Sequence, residues 1–565
     1  MSLDAKTESL KLGDKVYVNE QKGADSDKAD GSLTSPFATS AYAFWKTKNE
    51  NIFVPKKLES GEVSQDEYEL ISASALKKTR KNADGLEKKA AKAAKAAQEQ
   101  AAKDEAENAR LEASKHIKIV DNDKPFVKSK IQDLAKYRDQ RVSVSGWIHR
   151  LRAQKGLVFI VLRDGTGLVQ IVLQGDLANA YQTSELTLES TIEVKGEIKK
   201  LPDGKTAPGG HELIADFYRV YGLAPSGEEA FSNRVQEDAD PSLLLDRRHL
   251  TLRGDTLSAV FKVRAALLTA FRKTLTDLGT IEVTPPCMVQ SMVEGGSTLF
   301  NLDYYGEPAY LTQSSQLYLE TVVPALGNCF CIQESFRAER SHTRRHLSEY
   351  THLEVEVGFV TFEDLLQHVE KVIIGVTNDL MSQPDIKELI LQLNPKFKAP
   401  NQKFRRMRYT DALEWLNDHG IINSDTGEKF KFGDDISEAE ERRMTDEINE
   451  PILLTHFPVE IKSFYMEKDS EDTRVTESVD CLLPNVGEVV GGSMRIMHYD
   501  ELMAAFKREK MDPTPYEFFL DMRKYGAYPH GGYGLGVERI LAWICDRFTV
   551  RECSLYPRFA GRCKP

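Results

Sequence analysis

Between Arg141 and Ile148 polar and apolar residues alternate, and much of Gly156 to Leu173 repeats the pattern. A period of two puts alternate side chains on opposite faces of a strand, so these runs predict half-buried β-strands. About five such strands fit between residues 126 and 225, which predicts a small barrel of the OB type. The boundaries read from the pattern are 119–225 for the barrel, 226–245 for a polar hinge and 246–565 for one large α+β domain. Within that domain a helix is predicted over about 256–278, followed by the extended run Ile281-Glu282-Val283-Thr284-Pro285-Pro286.

Residues 72–118 have a different texture. They are rich in Ala, Lys and Glu, contain no proline, and predict a long helix without a continuous buried stripe. Lys77, Lys78, Arg80, Lys81, Lys88, Lys89, Lys92 and Lys95 crowd its first half, and Glu99, Asp104, Glu105 and Glu107 lie in its second. A solvated spacer accounts for such a helix. Its basic half also suits sequence-independent contact with a phosphate backbone. Residues 1–71 mix short β-like runs, such as Lys15-Val16-Tyr17-Val18, with turn residues and predict a small appended domain.

Composition narrows the classes. The net charge of −12 argues against uniform coating of a polyanion but leaves room for a local basic patch. No run of eighteen apolar residues occurs, so no membrane span is expected. The N-terminus lacks the basic-then-apolar pattern of a secretory signal. The 7 cysteines include no C-x-x-C pair, so no structural zinc is expected, and their odd number fits a reducing cytoplasm.

Two runs carry chemistry. Phe336-Arg337-Ala338-Glu339-Arg340-Ser341 leads into Arg344, Arg345, His346, Glu349 and Tyr350, then into an alternating run through Glu354 and Glu356. Alone, this reads equally as a surface hairpin laced with ion pairs. Gly531-Gly532-Tyr533-Gly534-Leu535-Gly536-Val537-Glu538-Arg539 puts glycines ahead of an apolar helix, in a spacing that does not match G-x-G-x-x-G. Together the two resemble motifs 2 and 3 of class II aminoacyl-tRNA synthetases. The helix over about 256–278 and the run ending at Pro286 resemble motif 1, which in that family builds a homodimer interface. With an OB barrel preceding the catalytic domain, the resemblance is to subclass IIb, the aspartyl and asparaginyl branch.

That resemblance implies a fold, a reaction and a set of residues. The fold is α+β and multidomain: an N-terminal extension, an OB-fold anticodon-binding barrel, and a catalytic domain built on an antiparallel sheet. The reaction attacks the α-phosphorus of ATP with an amino-acid carboxylate, one anion approaching another, so charge neutralisation and positioning dominate. Arg337 is expected on the α-phosphate and Arg539 on the γ-phosphate, as the catalytic pair. Glu339 is expected at the adenine, Tyr350 stacked beneath it, and His346 on the far phosphates. Glu488 is expected to hold Mg2+, with Asp480 as a second ligand.

For the amino acid, Glu294, Gln316, Leu319, Glu354 and Arg495 are expected around the substrate. Aspartyl enzymes place a lysine where Leu319 stands, so the missing cation points to L-asparagine. Glu354 accepts from an amide NH2 but repels a carboxylate. The expected activity is ligation of asparagine to the 3′ end of tRNA(Asn), with aspartate ligation or a non-catalytic, synthetase-like binding role as alternatives. On the barrel, Phe159, Gln170 and Glu189 are expected at the anticodon, where stacking and edge contacts recognise unpaired bases.

Overall fold

Strands β1 (Val16–Tyr17), β2 (Ile52–Lys57) and β3 (Val63–Leu70) form a small sheet on which the helix Ser40–Thr47 packs. In this computed structural model the described residues are 15–58, 63–154, 156–236, 238–293, 298–341 and 343–565, with backbone alone at 65, 97, 99, 101–104 and 106–108. The chain divides into two units, 1–234 and 235–565. The helix Ala73–Ser114 begins on the cap Ser72, whose side chain accepts from Ala75 N. Its first turns pack against the helix Ser40–Thr47, where the hydroxyls of buried Thr79 and of Ser40 lie 3.0 Å apart, and Arg80 pairs with Glu50. Lys77, Lys78, Lys81, Lys88, Lys89, Lys92 and Lys95 are exposed.

The expected barrel is present. After the short β4 (Val127–Lys128) come β5 (Arg141–Gln154), β6 (Leu157–Arg163), β7 (Leu168–Leu173), β8 (Thr191–Lys200) and β9 (His211–Gly222). They pair in the order β5-β6-β7-β9-β8, and β8 pairs back onto β5 to close the sheet. Alternation does the sorting: Val144, Ile148, Ile160, Leu162, Val169 and Ile171 fill the interior, while Phe159 and Gln170 face outward.

In the second unit, β11 (Met288–Val289), β12 (Asn301–Tyr304) and β13 (Glu307–Leu311) make a small antiparallel sheet. The main sheet contains β10 (Ile281–Glu282), β14 (Cys329–Phe336), β15 (Glu349–Gly358), β16 (Arg405–Arg408), β17 (Ile452–Thr455), β18 (Ser478–Leu483), β19 (Gly487–Met494) and β20 (His530–Gly536). Their spatial order is β10-β14-β15-β20-β19-β18-β17-β16, antiparallel except for the parallel pairs at its two edges, β10 with β14 and β16 with β17. Helices Asp255–Asp277, Phe362–Ser382 and Val537–Cys545 cover one face and share its core with Phe330, Leu353, Val355 and Val357. Burying each such side chain contributes about 1.5–3 kcal/mol. Thr361 and Asp364 form a capping box at the start of Phe362–Ser382.

Strand β15 is the pivot. Leu353, Val355 and Val357 point into the core, so Tyr350, His352, Glu354 and Glu356 must share the opposite face. On the adjacent β20, Gly536, Gly534 and Gly532 lie opposite His352, Glu354 and Glu356. A Cβ at Gly534 would come 2.2 Å from His352 Nε2, and one at Gly532 would come 2.0 Å from Glu356 Oε2 and 2.3 Å from the Val355 carbonyl oxygen. The glycines therefore make room for the polar side chains of β15.

Two glycine substitutions should move stability in opposite directions. Gly532→Ala forces backbone apart and should destabilise the protein by about 1–3 kcal/mol. Gly85 sits inside the helix Ala73–Ser114 with nothing within 4 Å of an added Cβ. Gly85→Ala should therefore stabilise that helix by about 1 kcal/mol. Thermal melts followed by circular dichroism check both, and equal melting of Gly532→Ala and wild type would contradict the close packing.

Candidate active site

The polar face of β15 opens into a cavity of about 250 Å³, bordered also by residues from β18, β19, β20 and the helix Gln316–Leu326. Arg337, immediately after β14, and Arg539, in the first turn of Val537–Cys545, both line it. The Arg337 guanidinium lies 5.5 Å from the Tyr350 ring centroid. Arg539 Nη1 donates to the Glu488 carbonyl oxygen at 3.0 Å and to its carboxylate at 3.2 Å. Glu339 borders the same cavity. His346 contacts Ser341 Oγ at 3.2 Å and the Thr343 hydroxyl through Nδ1. Burial and then Arg539 push the His346 pKa down, so its imidazole is neutral and hydrogen-bonds rather than carrying charge.

A cluster of opposite charge faces these arginines. Burial disfavours the Glu488 carboxylate, but Arg539, Arg345, Lys462 and Arg337 outweigh it and hold the group at about 2. Asp480 accepts from Lys462 Nζ at 2.7 Å, yet burial still raises its pKa, with Glu488 adding to the rise. Glu441 accepts from Arg345 Nη1 at 2.9 Å and from Glu488 N at 3.0 Å. Burial pushes Glu441 up to about 7. A Cβ on Gly491 would lie 3.3 Å from Glu488 Oε1 and 3.7 Å from Asp480 Oδ1. The missing side chain leaves a gap bordered by two carboxylates, a donor set that fits a hard divalent cation such as magnesium.

At the other end of the cavity lie Gln316, Leu319, Glu354 and Arg495. Glu354 is pinned: it accepts from Ser315 N at 2.8 Å and from the Ser314 hydroxyl. Leu319 is fully buried against Cys329, Cys331 and Tyr528 and brings no charge to the cavity. Arg495 donates to both oxygens of Glu356, at 3.1 and 3.0 Å, and to Ser493 Oγ at 2.8 Å. Glu294 lies outside the described residues. The remaining residues expected at the ATP, metal and amino-acid positions all line this one cavity.

Sequence reasoning missed Lys462, Glu441 and Glu320. Glu356 was legible, since it stands two residues beyond Glu354 and so shares its face. Glu441 belongs to a run, Glu438-Ala439-Glu440-Glu441-Arg442-Arg443, that reads as a solvated helix, yet Glu440 and Glu441 are buried. Nothing local marks Lys462, which lies in a loop and whose partner Asp480 lies on β18.

On the barrel, Phe159 of β6 and Gln170 of β7 stand on the outer face, two residues apart in register. Gln170 Nε2 donates to Glu212 Oε2 at 3.1 Å. Glu189, at a backbone φ of 69°, receives a two-pronged contact from Arg163, 3.0 Å on each oxygen. Arg163 also lies over Trp147, which is 40% exposed.

Residues 240–560 match the family described as "tRNA synthetases class II (D, K and N)". Residues 32–125 match "Asparaginal-tRNA synthetase, N-terminal domain", and 142–221 match "OB-fold nucleic acid binding domain". The cytoplasmic asparagine–tRNA ligase of Debaryomyces hansenii is 61% identical over 556 residues, covering 97% of this chain and 100% of that protein. Its namesake in Saccharomyces cerevisiae is 58% identical over 553 residues, covering 97% and 100%. The structure of Entamoeba histolytica asparaginyl-tRNA synthetase in complex with asparaginyl-adenylate aligns with a TM-score of 0.74 and 42% identity, covering 78% of this chain and 100% of that one. The chain therefore belongs to the class II tRNA synthetases (D, K and N), among the cytoplasmic asparagine–tRNA ligases.

Proposed function

We propose that the chain is an asparagine–tRNA ligase of the cytoplasm, which activates L-asparagine with ATP and passes it to the 3′ end of tRNA(Asn). The observation that carries this reading is the convergence of Arg337, Arg539, Glu488 and Asp480 on one cavity whose far end holds uncharged Leu319 beside Glu354 and Arg495. Arg337 receives the α-phosphate and the attacking carboxylate, and Arg539 the γ-phosphate. Each supplies a planar fork of donors, and together they offset the repulsion between two anions. Tyr350 stacks under the adenine, Glu339 accepts from its amino group, and neutral His346 donates to the far phosphates.

Glu488 and Asp480 would hold magnesium, which when bound supplies further neutralisation of the phosphates. Glu354 accepts from the asparagine amide NH2 while Arg495 donates to the amide oxygen. Glu294 is assigned to the substrate ammonium by the resemblance alone. In the first unit, Phe159 stacks on an anticodon base, Gln170 reads an edge, and Glu189 stands at the first base. Edge strand β10, with Ile281 46% exposed, supports pairing with a second copy through motif 1.

Pyrophosphate exchange with each amino acid tests the reading, and exchange dependent on an amino acid other than asparagine would sink it. In the same assay Arg539→Ala should lose roughly a hundredfold or more in rate while its circular dichroism stays that of wild type. Near-wild-type exchange would contradict the role of Arg539. Leu319→Lys puts a cation beside Glu354 and should weaken asparagine use by about tenfold or more while admitting aspartate. Unaltered discrimination would mean that residue 319 does not meet the substrate.

Deleting residues 1–118 removes the exposed lysines of the helix Ala73–Ser114. It should raise the tRNA Michaelis constant and flatten its salt dependence, because fewer counterions are released on binding, and leave asparagine activation unchanged. An unchanged salt slope would reduce the helix to a spacer.

A further inference from the structure

Behind Arg495 lies a network of buried charge that reaches the cavity through Gln316 and Arg495. Its centre is Glu320, on the helix Gln316–Leu326, with no exposed surface. Glu320 Oε2 accepts from Arg523 Nη2 at 2.6 Å and from His530 Nε2 at 2.9 Å. Glu320 Oε1 accepts from Gln316 Nε2 at 3.0 Å and lies 3.9 Å from Arg495 Nε.

Glu320, Glu356 and His530 are close enough together to suggest a metal site, but the hydrogen bonds argue otherwise. His530 Nδ1 faces the Tyr528 carbonyl oxygen at 2.8 Å and Nε2 faces the Glu320 carboxylate. Arg523 shares the same Glu320 oxygen and Arg495 occupies both oxygens of Glu356, so cations of the protein itself already engage both carboxylates. His530 and Arg523 together saturate one oxygen of Glu320.

Two consequences reach the cavity. A carboxylate cannot donate, so Gln316 must turn its NH2 toward Glu320 and its carbonyl oxygen away, which fixes an acceptor at the amino-acid end. Arg495 is held between Glu356 and Glu320, and three of its five N–H groups are engaged by Glu356 and Ser493. An entering amide oxygen can take a hydrogen bond from this compensated guanidinium. An entering carboxylate meets a guanidinium already neutralised, with Glu354, Glu356 and Glu320 around it.

We propose that Glu320 is a specificity-determining positioning residue: it fixes the Gln316 amide and, with Glu356, neutralises Arg495, so that the pocket takes a neutral side-chain amide and rejects a carboxylate. This rests on the asparagine reading and extends it to a residue that never touches the substrate. A bare Arg495 would attract aspartate, and Leu319 alone does not prevent that.

The test is Glu320→Gln in full-length protein, in pyrophosphate exchange, with aspartate also assayed as a competitor of asparagine. The asparagine-to-aspartate ratio of kcat/KM should fall by about tenfold or more, aspartate inhibition should tighten, and the KM for ATP should stay unchanged. Glu320→Asp keeps the charge and should keep the discrimination even where the Tm falls. A purely structural role would lower use of both amino acids together and affect both variants alike. His530→Gln changes one partner of Glu320 while leaving its carboxylate in place, so discrimination should hold or sharpen. This variant keeps the test open if Glu320→Gln does not fold. A folded Glu320→Gln with the wild-type ratio overturns the proposal, as does a fall in discrimination on His530→Gln. Wild-type protein that does not activate asparagine would instead overturn the reading beneath it.

Discussion

The close approach of β15 and β20 is the constraint on which the active site depends. Three polar side chains of β15, His352, Glu354 and Glu356, lean over a neighbouring strand that carries glycine at each facing position. The other face of β15 is committed to the core through Leu353, Val355 and Val357. A one-residue slip would bury the carboxylates and expose the core residues, so the register that stabilises the fold also aims the chemistry. Fold stability and site geometry are therefore one requirement on this strand.

The site that results is dense in charge, and almost every charge has an opposite number. Glu488 is shared among arginines, Asp480 is held by Lys462, and Arg495 is held by Glu356. Buried charges without partners carry desolvation penalties of several kcal/mol each, so the pairing is a condition for folding. The same pairing fixes the side chains that line the cavity, and donors and acceptors held in advance need little reorganisation during reaction. Raised acids such as Glu441, pushed up to about 7, mark where burial outweighs the available cations. A phosphate chain with its counter-cation would redistribute those balances.

The barrel solves a different problem with the same alternation. Its interior is filled by β-branched and leucine side chains, and closure by β5 and β8 removes the free edge. Aromatic and amide groups are then left on the outside, where Phe159 and Gln170 stand without a place in the core. An outward phenylalanine is an unfavourable surface choice for stability alone and suits a surface that stacks on bases.

Local periodicity determined much of this protein. Alternation gave the barrel and β15, and the Glu354–Glu356 spacing placed both carboxylates on one face. The glycines at 532, 534 and 536 announced a close backbone approach. Residues within such motifs were legible because their roles depend on neighbours a few positions away. Lys462, Glu441 and Glu320 were not, because each acquires its role from a partner on another element: Asp480 across a loop and strand, Arg345 from the β14–β15 connection, and Arg523 and His530 from some two hundred positions away. An acidic residue in a helix is a solvated residue by default. Only the tertiary structure decides which carboxylates are buried, because only there does the cation that permits burial come within hydrogen-bond distance.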